Sequence, residues 1–493
     1  MVIGEIHMKY YLTFDVGTTA MKCVLFDERL KEVYSVNNEY DLITGEQGYV
    51  ELDPDVYFNT FCRCVKELKE SGIDIYSVCS ITFTTQGETL IPVDYDGNAL
   101  CSAIVWLDSR AKKESEYLKN KISQRLFYKK TGLCEIDSLL PAAKILWIYN
   151  NRKDIYDRTY KFLLLEDYLI LRLTGRFVSE KSLQSSSGWY EIEKEVFFDD
   201  MLRLCHIKES HLPLVLPCGT IVAKVKESIC ADMGFSNDTY VVSGAMDQIA
   251  SAIGIGNIEE GMLTETTGTA LVAGVTVEKP DFDLDMPITI YKHFDNKFIY
   301  IPYIETAGIA LKWFKDVIIP YADGKGREKG ITAYEYIDEL ASKSSVGSNG
   351  LIMLPALADG GAFCGLFLST TVNDMARSVL EGVAYMLKDI VTLLIHKGIS
   401  VKEIYALGGG SNSRLWCSIK ADILYKNVVC VGYTQTTSRG AAVLAAVADG
   451  RYANAKQAID IFETNTTVFE PQKNNVDQYK KYYNEYLKIK EAL

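Results

Sequence analysis

The chain has 493 residues, more than one hydrophobic core usually holds, which predicts two domains of roughly 200–250 residues each. Apolar residues make up 48% and charged residues 24%, an ordinary globular composition, and with 11 prolines there is no long disordered linker. The formal charge of −13 argues against a nucleic-acid-binding surface, and no apolar run reaches the ~20 residues of a membrane span.

The N-terminal stretch MVIGEIHMKYYLTFD lacks the pattern of a secretory signal, and Met8 stands just before the first apolar run, so residues 1–7 read as a dispensable extension. The 12 cysteines form no CxxC pair and many lie in apolar runs, as expected of buried free thiols in a reducing cytoplasm. The five histidines fit no zinc spacing.

Residues 10–14 and 23–27 are apolar runs on either side of Asp15-Val16-Gly17-Thr18-Thr19, which predicts an antiparallel hairpin. Glycine lets a backbone approach a phosphate closely, and the amides and hydroxyls of such a turn can donate to its oxygens. Lys22 follows three residues on, and a carboxylate at the strand end, Asp15, can hold a hydrated Mg²⁺. A plain hairpin turn is the competing reading, and a Walker-type GxxxxGK[ST] loop is absent.

Buried strands are predicted next at 78–83 and 90–93. The flanking segments Thr85-Gln86-Gly87-Glu88-Thr89 and 103–110 carry Glu88 and Trp106, a carboxylate and an aromatic wall suited to sugar hydroxyls. Core packing by Trp106 and an ion pair within Asp108–Arg110 is the alternative. A strand at 240–243 leads into Gly244-Ala245-Met246-Asp247-Gln248. There Asp247 could accept a hydroxyl proton, or cap the helix that continues through 249–253, or do both.

A second Gly/Thr turn, Thr266-Thr267-Gly268-Thr269, precedes the apolar run 270–275 and points to two related halves meeting near residues 250–256. Between 374 and 396, Met375, Val379, Val383, Met386, Ile390 and Leu394 recur at helical spacing, with Asn373 or Asp374 as the expected N-cap. A strand at 404–407 then leads into Gly408-Gly409-Gly410 and a helix from near Ser413. Strands and helices alternate behind an antiparallel opening hairpin, so the expected class is α/β with mixed sheets flanked by helices. Phosphate-cradling turns, a metal-holding carboxylate and a base are the parts that phosphoryl transfer needs.

These pieces, in order, resemble the FGGY family of carbohydrate kinases, which includes glycerol, xylulose, gluconate and ribulose kinases. The resemblance runs through FDVGTTAMKCVLFD (14–27), AIVWLDSRA (103–111), AAKILWIYN (142–150), LLLEDYLILRLTG (163–175) and SGAMDQIASAIGIG (243–256). It continues through TETTGTAL (264–271), AGIALKWF (307–314), GLFLSTTVNDMARSVLEGVA (365–384), GGGSNSRLWCSIKADIL (408–424) and TTSRGAAVLAA (436–446). GAFCG followed by DMARSVLE is the most specific stretch.

The resemblance implies two ribonuclease-H-like domains of the actin–hexokinase type, 1–253 and 254–493, with the active site in the cleft between them. It implies ATP and Mg²⁺ as cofactors, a small sugar or polyol as substrate, and a cytoplasmic enzyme with no nucleic-acid or membrane partner; a homodimer is admitted. By matching motif, Asp15 is the metal-linked carboxylate, Asp247 the general base beside the metal, and Thr18, Thr19 and Lys22 the first phosphate loop. Gly268 and Thr269 form the second phosphate loop, Gly308 approaches the nucleotide, and Gly408, Gly409 and Asn412 belong to the adenosine site. Gly87, Glu88, Trp106 and Gln248 are the acceptor-side residues.

The acceptor side departs from the family patterns. Gly87-Glu88 stands where xylulose and gluconate kinases show Met-His and glycerol kinases Arg-Glu, and Leu139 stands at an acceptor-site tyrosine of the glycerol kinases. Residues 354–365 are shorter than usual, and Arg439 replaces a usually apolar residue. A glycine at 87 is expected to open space beside Glu88, for a ketose such as a pentulose or a polyol of about four to six carbons. A glycerol- or erythritol-type polyol kinase is the alternative. From another class, a non-catalytic sugar-sensing ATP-binding protein would be expected to lose Asp15 or Asp247, and both are present.

Overall fold

The opening apolar runs pair as the sequence predicts: strand Tyr10–Val16 lies antiparallel to Ala20–Asp27, with Asp15 opposite Lys22. The computed structural model describes residues 9–358, 360–432, 435–462 and 466–492. It divides into two units. One gathers Met1–Ile258, Glu278–Ile299 and Gln435–Glu463, the other Glu259–Val277, Tyr300–Thr434 and Thr464–Leu493. A single cut between residues 253 and 254 leaves out the two returns of the chain to the first unit.

The first unit is built on a six-stranded mixed sheet in the order Ile221–Lys224, Tyr240–Met246, Val78–Thr85, Tyr10–Val16, Ala20–Asp27, Glu32–Glu39. Tyr10–Val16, Val78–Thr85 and Tyr240–Met246 run parallel, so their C-terminal ends emerge along one edge. Val78–Thr85 is buried almost throughout, as expected of a strand covered on both faces. Helix Pro54–Glu70 starts where Asp53 accepts from Asp55 N and Pro54 supplies a preformed first turn. It buries Tyr57, Phe61, Cys64 and Leu68, and Phe61 lies 4.8 Å from Phe14 and 5.9 Å from Phe83, ring centre to ring centre. Each large side chain so buried contributes roughly 1.5–3 kcal/mol. A smaller sheet holds Leu90–Val93 against Lys161–Leu164 and Ala103–Ile104, which carries the chain to Trp106.

The second unit repeats the opening motif. Strand Gly261–Thr267 forms an antiparallel hairpin with Leu271–Val277 and pairs in parallel with Val401–Leu407, as Tyr10–Val16 does with Ala20–Asp27 and Val78–Thr85. Val428–Val431 continues the parallel set and Thr466–Phe469 closes it antiparallel. Helix Val372–His396 is longer at its start than the periodicity predicts. Its N-cap is Thr371, not Asn373 or Asp374; Asp374 accepts from Thr371 N at 2.8 Å, and the two residues close a capping box. Hydrophobic spacing finds the face of a helix but not the turn that precedes its first buried residue.

Candidate active site

Within the first unit, the parallel strand ends bring Asp15, the 85–89 loop and Asp247 to one edge. Asp15 and Asp247 lie on strands separated by Val78–Thr85, so their backbones are roughly 10 Å apart and their side chains can converge. Burial pushes the Asp15 carboxyl up to about 6, against the pull of Lys22 and a 3.5 Å hydrogen bond from Thr84 Oγ1. Burial, then the charge of Asp15, pushes Asp247 up to about 7. Asp247 is the first residue of helix Asp247–Ile255 and Met246 occupies the N-cap position, so Asp247 is not the cap. Its Oδ1 nevertheless accepts from Gln248 N at 2.6 Å, and Gln248 is exposed.

Two partly desolvated carboxyls, one raising the other, fit a divalent cation that would offset their charge. Among the described residues no group of three or more His, Cys, Asp or Glu could hold a metal ion by itself.

Thr18 links the first Gly/Thr turn to Gln86 and Trp106. Its hydroxyl donates to Gln86 Oε1 at 2.9 Å and accepts from Trp106 Nε1 at 3.0 Å. Trp106 is therefore hydrogen-bonded as well as packed, and its backbone N–H donates to Thr89 Oγ1 at 3.1 Å. The Thr18 proton is committed to Gln86, and Thr19 beside it is exposed. Arg110 does form the ion pair weighed for Asp108–Arg110, with Nη2 2.7 Å from Asp108 Oδ2 and 2.6 Å from Glu51 Oε1.

Glu88 sits at φ +57, and Thr89 N donates across it to Gly87 O at 2.8 Å, a tight three-residue turn. Such backbone persists only where its surroundings over-determine it. Lys144, fully buried on helix Pro141–Asn151, does so. Its Nζ donates to Glu88 O and Val105 O, both at 3.0 Å, and to Trp106 O at 3.4 Å. Burial raises the Glu88 carboxyl and lowers the Lys144 ammonium, while each opposite charge pulls the other back. Asp247 and Asp137 also raise Glu88, and both Glu88 and Asp247 act on the Tyr291 hydroxyl.

The expected opening beside Glu88 is not found. A Cβ at Gly87 would stand 2.9 Å from Ser186 Oγ and 3.2 Å from Met246 Sδ, so these side chains already fill the space that a larger residue would take. Lys144, Asp137 and Tyr291 escaped the sequence reading as site residues. Lys144 lies inside a family-like stretch, a usable signal. Tyr291 comes from a segment that rejoins the first unit, and nothing local marks it.

The second unit gathers Gly268, Thr269, Gly308, Gly409 and Asn412 around one cavity of about 540 Å³. Gly408 stands just outside it, at φ +69, where strand Val401–Leu407 turns toward Gly409–Asn412. Tyr334 and Asp338 also line the cavity and were not foreseen. Burial pushes Asp338 up to about 6, with Ser413 drawing it back. Beneath the turn, Lys420 Nζ is fully buried and bonds Glu265 Oε1 at 2.6 Å and Thr267 Oγ1 at 3.0 Å. Gly308 presses on Gly268, where an added Cβ would meet the carbonyl oxygen at 1.9 Å. Gly308→Ala therefore forces the turn aside at about 1–3 kcal/mol. Thermal unfolding of the variant, expected to come earlier than in the parent, would check this.

Profiles described as the FGGY family of carbohydrate kinases match residues 10–254 with the N-terminal domain and 348–448 with the C-terminal domain. A gluconokinase of Bacillus subtilis (strain 168) is 28% identical over 457 residues, covering 90% of this chain and 88% of the relative. A xylulose kinase of Staphylococcus xylosus is 26% identical over 497 residues, covering 98% and 100%. The crystal structure of a ligand-bound xylulose kinase from Lactobacillus acidophilus superposes with a TM-score of 0.89 at 26% identity, covering 98% of each chain.

Proposed function

Because the chain belongs to the FGGY family of carbohydrate kinases, with the family's two-domain fold, we propose that it transfers the γ-phosphoryl group of ATP to a hydroxyl of a small neutral sugar or polyol. The observation that carries the acceptor reading is the meeting of Glu88, Asp247 and Trp106 at one sheet edge of the first unit. Glu88, Asp137 and Asp247 gather three carboxyls at that edge. Lys144, the cation acting on Glu88, spends its donors on three carbonyls. A ketose or polyol offers hydroxyls to such carboxylates, whereas a sugar acid adds like charge.

On this reading Asp247 takes the proton of the attacking hydroxyl as its oxygen bonds to the γ-phosphorus and ADP leaves. Glu88 and Gln248 orient the acceptor, and Trp106 walls it. The turns at Thr18–Lys22 and Gly268–Thr269 meet the phosphates with amides and a lysine, and the cavity beside Gly308, Gly409 and Asn412 holds the nucleoside. Asp15 and Asp247 would hold Mg²⁺, which supplies charge neutralisation at the phosphoryl oxygens when bound. Twelve free thiols support a reducing cytoplasmic setting. Among the described residues no helix is long and apolar enough to cross a membrane.

The test is a coupled ADP-release assay of the protein against ketoses, polyols and sugar acids. Sugar-dependent turnover is expected with a neutral acceptor, and Glu88→Ala should lower kcat/KM for it by about 10–10²-fold, as loss of a charged hydrogen bond does. ATP turnover indifferent to every sugar would sink the kinase reading. Unchanged activity in Glu88→Ala would remove Glu88 from the acceptor site.

A further inference from the structure

The strand that delivers Asp247 is irregular. Tyr240–Met246 follows Val78–Thr85 in register as far as Val242, then skips and resumes at Ala245. A bulge of this kind releases backbone groups from the ladder and re-aims the strand end. At the bulge the two backbones nearly touch, since a Cβ on Gly244 would meet Phe83 O at 1.7 Å.

A buried carboxyl and a buried hydroxyl receive the amides on either side of Ala245. Gly244 N donates to Glu166 Oε1 at 2.7 Å. Met246 N donates to Ser182 Oγ at 3.0 Å, and that hydroxyl donates to Glu180 Oε1 at 2.7 Å. Glu180 Oε2 also accepts from Ser182 N at 2.5 Å and from Cys218 Sγ at 2.9 Å. Glu166, Glu180 and Ser182 are fully buried, and Glu166 Oε2 has no hydrogen-bond partner among the described residues. Burial, then the Glu180 carboxyl, pushes Glu166 well above its ordinary value. An oxygen left unsatisfied in the interior costs stability, so core packing alone does not account for a carboxyl here.

We propose that Glu166 and, through Ser182, Glu180 are positioning residues that set the direction in which Asp247 leaves its strand, by holding the Gly244 and Met246 amides. They touch neither substrate. Their effect is exerted through the backbone of residues 244–246, and it rests on the reading of Asp247 as the general base. Glu166 projects from the first turn of helix Leu165–Thr174, and Glu180 ends strand Val178–Glu180, so two separate elements grip the same bulge. A base displaced by about 1 Å can lose about 10²-fold in rate.

The experiment compares Glu166→Gln, Glu166→Leu and Asp247→Asn in sugar-dependent ADP release, with thermal unfolding of each. Gln keeps an oxygen for the Gly244 amide, and we expect it to stay within about threefold of the parent in kcat. Leu offers no acceptor, and we expect kcat to fall about 10²-fold while KM for sugar and for ATP changes by less than about threefold. If Glu166→Leu fails to fold, Ser182→Ala takes its place and should show the same kcat-selective loss. Parent-like kcat in the folded Leu or Ala variant, or a loss in Gln equal to that in Leu, would overturn the positioning role. Near-normal turnover of Asp247→Asn would instead overturn the base assignment, so the two failures are told apart.

Discussion

Asp247→Asn is expected to lower sugar-dependent turnover by about 10²–10⁴-fold, the range general-base removal usually costs. Asn preserves shape and the acceptor for Gln248 N, now at 2.6 Å from Asp247 Oδ1, so helix Asp247–Ile255 should still start where it does. The pH dependence gives a second handle. Burial and Asp15 push the Asp247 carboxyl up to about 7, and the active form is the carboxylate. Activity should thus be full above that value and fall as pH drops through it, with the midpoint displaced lower by any bound cation. The residual activity of the Asn variant should lack this acid limb. Near-parental kcat, or an acid limb unchanged in the variant, would take Asp247 out of the chemistry.

The second large effect is expected at Lys144, whose ammonium joins the two acceptor-side loops. Lys144→Met keeps the length of the side chain and removes the three donors to Glu88 O, Val105 O and Trp106 O. Each carbonyl left without a partner costs about 1–3 kcal/mol, partly offset because a buried charge is also removed. The strained turn at Glu88, φ +57, then loses what holds it, and Trp106 loses its register against Glu88. We expect kcat/KM for the sugar to fall by about 10²-fold with KM for ATP unchanged. Lys144→Arg should not rescue it, since a planar fork does not match three carbonyls gathered around one point. Kinetics with each substrate varied, alongside thermal unfolding, would decide this. A variant that unfolds earlier yet keeps its sugar kinetics would make Lys144 structural only.

The strand ends and Gly/Thr turns were legible because their signals are written locally. Asp15-x-Gly-Thr-Thr and its second-unit counterpart are turns between apolar runs, and both form the hairpins that the spacing predicts. Asp247 follows an apolar strand directly, so its place at a strand mouth could be read without neighbours. The acceptor half was less legible. Gly87 looked like vacated space, and only packing showed Ser186 and Met246 already there. The acid that grips the Asp247 strand, Glu166, is 78 positions from Gly244, and the cation that holds Glu88 is 56 positions from it.

By itself, then, the sequence determined the two Gly/Thr hairpins, the strand ends that carry Asp15 and Asp247, the long helix, and with them the family and its phosphoryl chemistry. Hydrophobic runs and turn residues set these within about ten residues of chain, where backbone geometry leaves few choices. The tertiary structure alone decided that Trp106 is bonded to Thr18, that Lys144 reaches the Glu88 carbonyl, and that Glu166 receives the Gly244 amide. Those outcomes depend on which side chain fills a given space and which orphaned amide or carbonyl it reaches, and long-range packing determines both.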